Sequence, residues 1–353
     1  MATIHLRGQT PRTLAAAWDD LPLPIAVARR VIERVVGRGR DDLEGIAGLS
    51  RRVASELAAR ASTERLSIVD RRVSPRDGFA KYLFRAPDGA LLEAVRIPLE
   101  RPRWSICVSS QAGCGLGCAF CETGRLGLIR NLEAWEIVDQ VLTIRDDSPE
   151  RPVTGVVFQG QGEPLQNYDA VLRAAAILRD PNGLRIRGEA ITISTVGLLP
   201  AIERFTDEGH VHRLILSLTS AIQDKRERLV PVARSHRVDE LASAMRRHAT
   251  RWGGPVHIGW VLIAGFNTGE DEAQALAALF PGVPVRVHVI DVNDPSGRFA
   301  AAGDEERGGF LAALKANGLP FVRRYSGGAD ILGACGMLAS TRQGGIPGSA
   351  LPR

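Results

Sequence analysis

The order of hydrophobic and polar residues divides the first third of the chain into two regions. Over residues 10–61, alanine, leucine and valine recur every three or four positions between charged residues, which is typical of amphipathic helices. Two alternating segments, 79–86 and 90–98, then flank a Pro-Asp-Gly turn sequence and predict a β-hairpin. We therefore expect a small helical domain over residues 1–75, able to contact RNA through its arginine-rich turns, and a β-hairpin linker over 76–103.

From residue 104 onward, short apolar runs alternate with amphipathic segments. The pattern predicts strands over 104–109, 155–159, 190–195, 213–218, 256–262 and 285–292. It predicts helices over 132–144, 168–179, 199–207, 238–248, 272–280 and 305–317. Such alternation indicates an α/β fold with a parallel sheet, and six units form an open, partial (β/α)6 barrel over 104–325. The eight units of a closed barrel are missing. Residues 326–353 are expected to form a C-terminal loop and flexible tail.

Composition narrows the class of protein. The chain has 353 residues, of which 44% are hydrophobic, and no apolar run approaches the roughly 20 residues that span a bilayer. We therefore expect a soluble protein without a membrane partner. The net charge is +5, a modest basic excess that allows an RNA partner without proving one, and nearly all of the positive charge is arginine. Arginine bias in the encoding genome explains the same excess for most single positions.

Three of the five cysteines form a C-x3-C-x2-C triplet, Cys114, Cys118 and Cys121. Three thiolates on one loop can bind three irons of a 4Fe-4S cube and leave the fourth iron open to a small molecule. Structural zinc normally takes four ligands in paired motifs, and the scattered histidines offer no such spacing. Disulfides fit poorly because five is odd and a chain of this length can bury its own core. We therefore predict an iron-sulfur protein of the reducing cytoplasm.

The carboxyl ends of the predicted strands carry polar residues that could bind a cofactor, since active groups of such barrels gather there. Each group also has an ordinary explanation as turn or cap chemistry. The groups at successive strand ends are Gly162 and Glu163, Ser194 to Gly197, Ser217 to Ser220, and Asp291 to Asp294. Together they favour a binding site along this edge.

These motifs resemble the radical-SAM superfamily and, within it, the RlmN/Cfr family of RNA adenine methyltransferases. The superfamily resemblance rests on the cysteine triplet and on Gly162-Glu163-Pro164 after the second strand. The narrower one rests on the run from Cys107 to Cys114, on Ser194-Thr195-x-Gly197, and on the glycine-rich run from Gly327 to Leu338 that contains Cys335. It covers most of the chain, and it accounts for all five cysteines.

The resemblance implies a radical-SAM barrel, a 4Fe-4S cluster and S-adenosylmethionine. It implies that Cys114, Cys118 and Cys121 bind the cluster. It assigns to S-adenosylmethionine the positions Gly162, Glu163, Ser194, Ser217, Leu218, Thr219 and Asn293. Cys335 matches the cysteine that is itself methylated, Cys107 the cysteine that later forms a transient disulfide with it, and Glu93 the proton acceptor. An ordinary reading of Glu93 is a solvent-facing strand residue.

The implied reaction methylates carbon 2 or carbon 8 of adenine in RNA, chiefly ribosomal RNA with transfer RNA as a second substrate. The family's pattern also implies an electron donor such as a flavodoxin, and we expect a monomer. Two features depart from that pattern: Thr219 stands where the family usually has histidine, and the segment from Asn293 to Glu305 is short. A divergent branch is therefore indicated. A radical-SAM enzyme with a non-RNA substrate and a non-catalytic, metal-stabilised RNA-binding protein are the alternatives.

Overall fold

A computed structural model describes residues 4–334 and 336–338. The N-terminal unit contains β1 (Ile4–His5), α1 (Pro11–Ala15), α2 (Ile25–Ile32), α3 (Arg51–Arg60) and β2 (Ala61–Ser62). Helix α1 begins where the Thr10 side chain accepts a hydrogen bond from the Thr13 amide, and the Ser50 side chain caps α3 in the same way. Helix α2 buries Val27, Val31 and Ile32 on one face and continues through a wider turn, Glu33–Gly37.

Three antiparallel strands follow: β3 (Ser67–Val73), β4 (Ala80–Arg85) and β5 (Leu91–Pro98). The hairpin of β4 and β5 confirms the two strands expected around the Pro-Asp-Gly turn. Strand β3 was not expected, and it lies inside the range 1–75 for which helices were predicted. Its residues are half-buried or exposed and include Asp70, Arg71 and Arg72, as is common for the edge strand of a sheet.

The rest of the chain alternates strands and helices. In order these are β6 (Trp104–Val108), β7 (Gln111–Cys114), α4 (Glu122–Leu126), β8 (Gly127–Asn131), α5 (Ala134–Asp147), β9 (Val153–Phe158), α6 (Tyr168–Arg179), β10 (Ile191–Thr195), α7 (Leu199–Asp207), β11 (Arg213–Ser217), α8 (Gln223–Leu229), α9 (Val238–Trp252), β12 (Val256–Leu262), α10 (Glu270–Leu279), β13 (Val285–Asp291), α11 (Asp304–Ala316) and β14 (Phe321–Arg323). The six predicted strands and the six predicted helices are all present, with ends that differ by a few residues. The short strand β14 was not predicted.

Ten strands form one continuous sheet in the order β3-β4-β5-β6-β9-β10-β11-β12-β13-β14. The strands from β6 to β14 in this order are parallel, whereas β3 to β6 pair antiparallel. A crossover helix separates each parallel strand from the next, which gives six strand-helix units and a final strand. Strands β3 and β14 do not pair with each other, so the barrel is partial, as predicted. Strands β7 and β8 form a separate two-stranded ribbon above the end of β6.

The main core lies between the parallel sheet and its helices. Ile193, Leu216, Ile258 and Trp260 are fully buried there. Burying each such side chain contributes about 1.5–3 kcal/mol relative to leaving it exposed. No helix among the described residues is long and apolar enough to cross a membrane.

Buried charges join the N-terminal unit to the barrel. Asp139 of α5 is fully buried and lies 3.4 Å from Arg7 Nε and 3.1 Å from Arg65 Nε, and it also accepts the Leu66 amide proton at 2.7 Å. Removing one partner of such a buried pair costs about 3–5 kcal/mol. The helical unit is therefore fixed against the first crossover helix.

Candidate active site at the carboxyl ends of the strands

The cysteine triplet lies on a tight loop above the parallel strands. Cys114 ends β7, Cys118 is buried, and Cys121 precedes α4 with its amide donating to the Cys118 carbonyl at 3.1 Å. Apolar side chains surround Cys118, among them Leu229, Val230, Ile263 and Val292. Cys118 is thus shielded from water, whereas Cys114 and Cys121 are half-buried.

The thiols of this loop are electrostatically coupled. Burial raises the pKa of Cys114 to about 11 and moves the pKa of Cys118 still further above its usual range, and the neighbouring thiolates add to both shifts. Such thiols need a cationic group to ionise. Among the described residues, no three His, Cys, Asp or Glu side chains converge closely enough to hold one metal ion. Three thiolates on one loop can each bind a different iron of a larger cluster.

A buried arginine lies beside the same loop. Arg226 of α8 is completely buried and donates to the carbonyls of Val196, Ser217 and Leu218. Burial lowers the pKa of Arg226 to about 10, and its guanidinium in turn lowers the pKa of Cys118. The charge of Arg226 therefore favours the thiolate that a cluster requires. Sequence reasoning missed this residue because nothing in the chain pairs position 226 with the cysteines.

Glu163 is a second buried charge at the strand ends. Its carboxylate accepts the amide protons of Leu165 and Val196, both at 3.0 Å. Burial raises the pKa of Glu163 to about 7, while these hydrogen bonds act in the opposite direction. A buried carboxylate of this kind suits a cationic ligand such as an ammonium group. The preceding Gly162 has φ +98°, and a Cβ there would lie 2.5 Å from the Gln111 Cβ, so only glycine fits.

The other predicted cofactor positions lie along the same edge of the sheet. Ser194 is the penultimate residue of β10, Ser217 ends β11, and Asn293 follows β13 with its amide donating to the Ser326 hydroxyl at 3.0 Å. Thr219 has φ +64°, which is unusual for a β-branched residue, and its buried hydroxyl has no hydrogen-bond partner among the described residues. Such strain at a strand end is consistent with a ligand site. Leu218 lies between Ser217 and Thr219 and is buried.

Glu93 lies on β5, on the face that points into the barrel. It is 1% exposed, so the ordinary reading of a solvent-facing strand residue is wrong. Its Oε1 lies 2.7 Å from the Lys81 ammonium, whereas its buried Oε2 has no hydrogen-bond partner in the described parts of the chain. Burial raises the pKa of Glu93 to about 7, although Lys81 opposes the shift. A carboxylate with a pKa near neutrality and one available oxygen can accept a proton.

Cys107 lies close to Glu93 across the antiparallel strand pair. Its Cα pairs directly with Val95, two residues along β5 from Glu93. Cys107 packs with Val95, Phe79 and Leu338 in a small apolar cluster. The structure thus brings the predicted resolving cysteine and the predicted proton acceptor to the same face of two neighbouring strands.

Both strands border a cavity of about 480 Å³ inside the curved sheet. Its lining includes Val95, Cys107 and Leu338, and also Gly333 and Ala334. The volume is in the range of small-molecule sites, which run from roughly 300 to 1,000 Å³. A single nucleotide base can therefore enter beside Cys107.

Cys335 lies outside the described residues. Its neighbours on both sides are described: Ala334 is buried against the cavity, and the Gly336 carbonyl accepts the Glu122 amide proton at 2.9 Å. A Cβ at Gly336 would lie 3.4 Å from the Phe120 carbonyl of the cysteine loop. The described residues before and after position 335 thus contact the cavity and the cysteine loop, and the role of Cys335 stays a prediction.

Comparison with known proteins identifies the family. The model of the Radical SAM superfamily matches residues 108–277. A probable RNA methyltransferase of Myxococcus xanthus is 45% identical over 99% of this chain and 97% of its own length. The chain belongs to the RlmN family of radical-SAM methyltransferases. A probable dual-specificity RNA methyltransferase RlmN of Symbiobacterium thermophilum is 36% identical over 96% of this chain and 92% of its own.

The fold agrees with this membership. A crystal structure of a radical SAM methyltransferase from Sphaerobacter thermophilus is 34% identical, with a TM-score of 0.87 over 95% of this chain and 98% of that one. As a radical-SAM methyltransferase, the protein uses a 4Fe-4S cluster and S-adenosylmethionine. The coupled thiols beside Arg226 and the buried carboxylate of Glu163 fit these two groups.

Proposed function

We propose that this enzyme methylates a ring carbon of adenine, carbon 2 or carbon 8, in RNA. One observation carries the proposal: Cys107 lines a base-sized cavity together with Gly333 and Ala334, which are next to Cys335, and Glu93 lies two residues along β5 from Val95, which also lines it. An adenine ring carbon is electron-poor, so its methylation needs a radical route rather than polar attack on a sulfonium methyl group. A thiol pair and a proton acceptor around one base meet that need.

The proposal gives each group a task. Cys114, Cys118 and Cys121 bind the cluster, and Gly162, Glu163, Ser194, Ser217, Leu218, Thr219 and Asn293 hold S-adenosylmethionine. When bound, these two cofactors supply the radical that activates a methyl group. Cys335 carries that methyl group, Glu93 accepts the ring proton at its available Oε2, and Cys107 forms a disulfide with Cys335 as the product leaves. A thiol reductant then restores both cysteines.

The carboxylate of Glu163 would bind the ammonium group of S-adenosylmethionine. Its hydrogen bonds to the Leu165 and Val196 amides fix its orientation, and burial strengthens any charge pairing that it makes. Arg226 would balance the negative charge of the thiolates. The left-handed Thr219 would offer its hydroxyl where the family usually has a histidine ring.

The proposal also covers the identity of the target RNA. Relatives whose names give only a probable RNA methyltransferase reach 45% and 48% identity, whereas those named RlmN match at 36–37%. The protein thus resembles a branch that differs from the RlmN group itself. Ribosomal RNA is the expected main substrate and transfer RNA the second, with an electron donor such as a flavodoxin and a monomeric enzyme acting in the cytoplasm.

The test is a comparison of RNA from cells with and without the gene. We expect one methyladenosine to disappear on deletion and to return when the wild-type gene is restored. Nuclease digestion and mass spectrometry against 2-methyladenosine and 8-methyladenosine standards would identify the carbon. Separate digestion of ribosomal and transfer RNA would identify the substrate. An unchanged set of methyladenosines in both fractions would contradict the proposal.

A further inference from the structure

Several arginines line the cavity beside Cys107. Arg103, Arg187, Arg213 and Arg324 line it, and Arg286 lies close enough to affect the pKa values of Arg213 and Arg324. Within residues 4–334 and 336–338, none of these five arginines forms a salt bridge with a carboxylate. Glu189 is the one acidic side chain among the described lining residues. The charge of these arginines is therefore largely uncompensated.

Two of these arginines are partly shielded from water, and a third forms a hydrogen bond with a buried histidine. The Nε atoms of Arg103 and Arg213 are buried and have no hydrogen-bond partner among the described residues. Arg324 donates from Nε to His288 Nδ1 at 3.1 Å, and His288 in turn lies 2.9 Å from His257. Burial and the nearby arginines lower the pKa values of His257 and His288 to about 4 and 3, so both rings are neutral at pH 7.

The mutual effect of the arginines shows that they share one electrostatic environment. Burial and Arg286 lower the pKa of Arg213, and burial, Arg213 and Arg286 lower that of Arg324. Like charges brought together without carboxylates destabilise each other until an anion binds between them. Guanidinium groups suit phosphate because their donors can bind two of its oxygens at once.

The register of the sheet relates these arginines to Cys107. Cys107 pairs with Val157, Val157 with Thr192, and Thr192 with Arg213, and all four line the cavity. Arg213 therefore lies three strand spacings from Cys107, roughly 14 Å along the curved sheet. A cavity with a thiol at one side and free cationic donors at the other matches a nucleotide, whose base and phosphate are at opposite ends.

We propose that Arg213, Arg286 and Arg324 bind backbone phosphates of the RNA next to the target adenosine and so direct its base towards Cys107. This inference rests on the proposed function, and it names the part of the cavity that receives the RNA backbone, around Arg213 at the start of β11 and Arg324 beside β13. Contacts to phosphates do not distinguish one base from another. They position the RNA and contribute binding affinity that decreases as the salt concentration rises.

The test measures binding of fluorescein-labelled oligo(rA) by anisotropy over a series of salt concentrations. We expect Arg213→Gln and Arg324→Gln each to weaken binding about tenfold or more and to lower the salt slope by about one, because one phosphate contact is lost. Arg213→Lys keeps the charge and should retain most of the affinity and the slope. Arg247→Gln is the matched control, since Arg247 is exposed on the outer helix α9 and pairs with Glu203.

Independent readouts separate this inference from folding defects and from the proposed function. Iron content and 5′-deoxyadenosine formation without RNA should equal wild type in every variant. If Arg213→Gln and Arg324→Gln bind oligo(rA) with unchanged affinity and slope, the inference is wrong. If inorganic phosphate binds the cavity but oligo(rA) does not, the site serves a small anion and the inference is equally wrong. If the variants lose oligo(rA) affinity although no RNA is ever methylated, the phosphate site stands and the proposed function fails.

Discussion

Lys81 is the group that keeps Glu93 able to accept a proton near neutral pH, and its removal gives the sharpest test of the proposed base. The Lys81 ammonium lies 2.7 Å from Glu93 Oε1 and also donates to the Leu332 carbonyl at 3.1 Å. Both side chains are buried. The perturbation is Lys81→Met, which removes the charge and keeps most of the side-chain volume.

The size of the expected change in the pKa of Glu93 follows from the free-energy cost of an isolated buried charge. Removing one partner of a buried pair costs about 3–5 kcal/mol when the other stays ionised. Each pKa unit corresponds to about 1.4 kcal/mol, so the pKa of Glu93 should rise by about 2–4 units from its value of about 7. Only the ionised carboxylate accepts the ring proton. At pH 7 the variant should therefore be at least about 50-fold slower, and its rate should recover as the pH rises above 9.

The assay is single-turnover methyl transfer to RNA by anaerobically reconstituted enzyme across the pH range in which the protein stays folded. We expect wild type to gain activity as the pH rises through about 7 and Lys81→Met to gain it only at about 9 or above. Lys81→Arg keeps the charge and should resemble wild type. Lys315→Met, which changes an exposed lysine of α11, is the matched control. A Lys81→Met profile that superimposes on wild type would refute the role of Glu93 as a base tuned by Lys81.

Three further substitutions test the cofactor and carrier assignments. Glu163→Gln should weaken S-adenosylmethionine binding about 10–100-fold, because a charge-assisted contact is lost, while iron content stays constant. Gly162→Ala should destabilise the fold by about 1–3 kcal/mol and weaken the same binding, since φ is +98° and the new Cβ meets Gln111. Cys335→Ala should abolish methyl transfer while the cluster remains bound.

For each of these predictions, one experimental result would contradict it. Equilibrium dialysis with labelled S-adenosylmethionine measures the first two, and unchanged affinity in Glu163→Gln would remove Glu163 from the cofactor site. Unchanged melting and binding in Gly162→Ala would show that the Gln111 side chain moves aside freely. Methylated RNA formed by Cys335→Ala would overturn the carrier mechanism, with cluster absorbance as the check that the protein is loaded.

The hydrophobic pattern of the sequence was sufficient to predict the barrel, because the barrel strands are apolar, regularly spaced and separated by amphipathic helices. The pattern did not predict β3, because an edge strand need not bury both faces and its Asp70, Arg71 and Arg72 resemble a loop. It failed for β14, whose three residues are too few to show a period. The ribbon of β7 and β8 was missed because its glycines mask any alternation.

The site could be predicted only as far as topology brings residues together. Parallel strands end at one edge, so Glu163, Ser194 and Ser217 follow from the order of the elements alone. The contact of Lys81 with Glu93 depends instead on the register of two strands, in which Glu93 stands opposite Leu83 and diagonal to Lys81. A contact that depends on strand register leaves no periodic pattern in the sequence. The same is true of a contact made by a residue of a distant helix, such as Arg226.

The continuity of the ten-stranded sheet sets a limit on how this enzyme can be divided. Strand β5 pairs with β6 along four residue pairs, so the strand that carries Glu93 is hydrogen-bonded to the strand that carries Cys107, although the two residues lie on opposite sides of the expected boundary near residue 103. A fragment that begins at β6 would lose the proposed proton acceptor and leave the open edge of a parallel sheet, a template for aggregation. Catalysis and solubility would then fail together, and the segment before the barrel is better regarded as a wall of the active site than as an appended module.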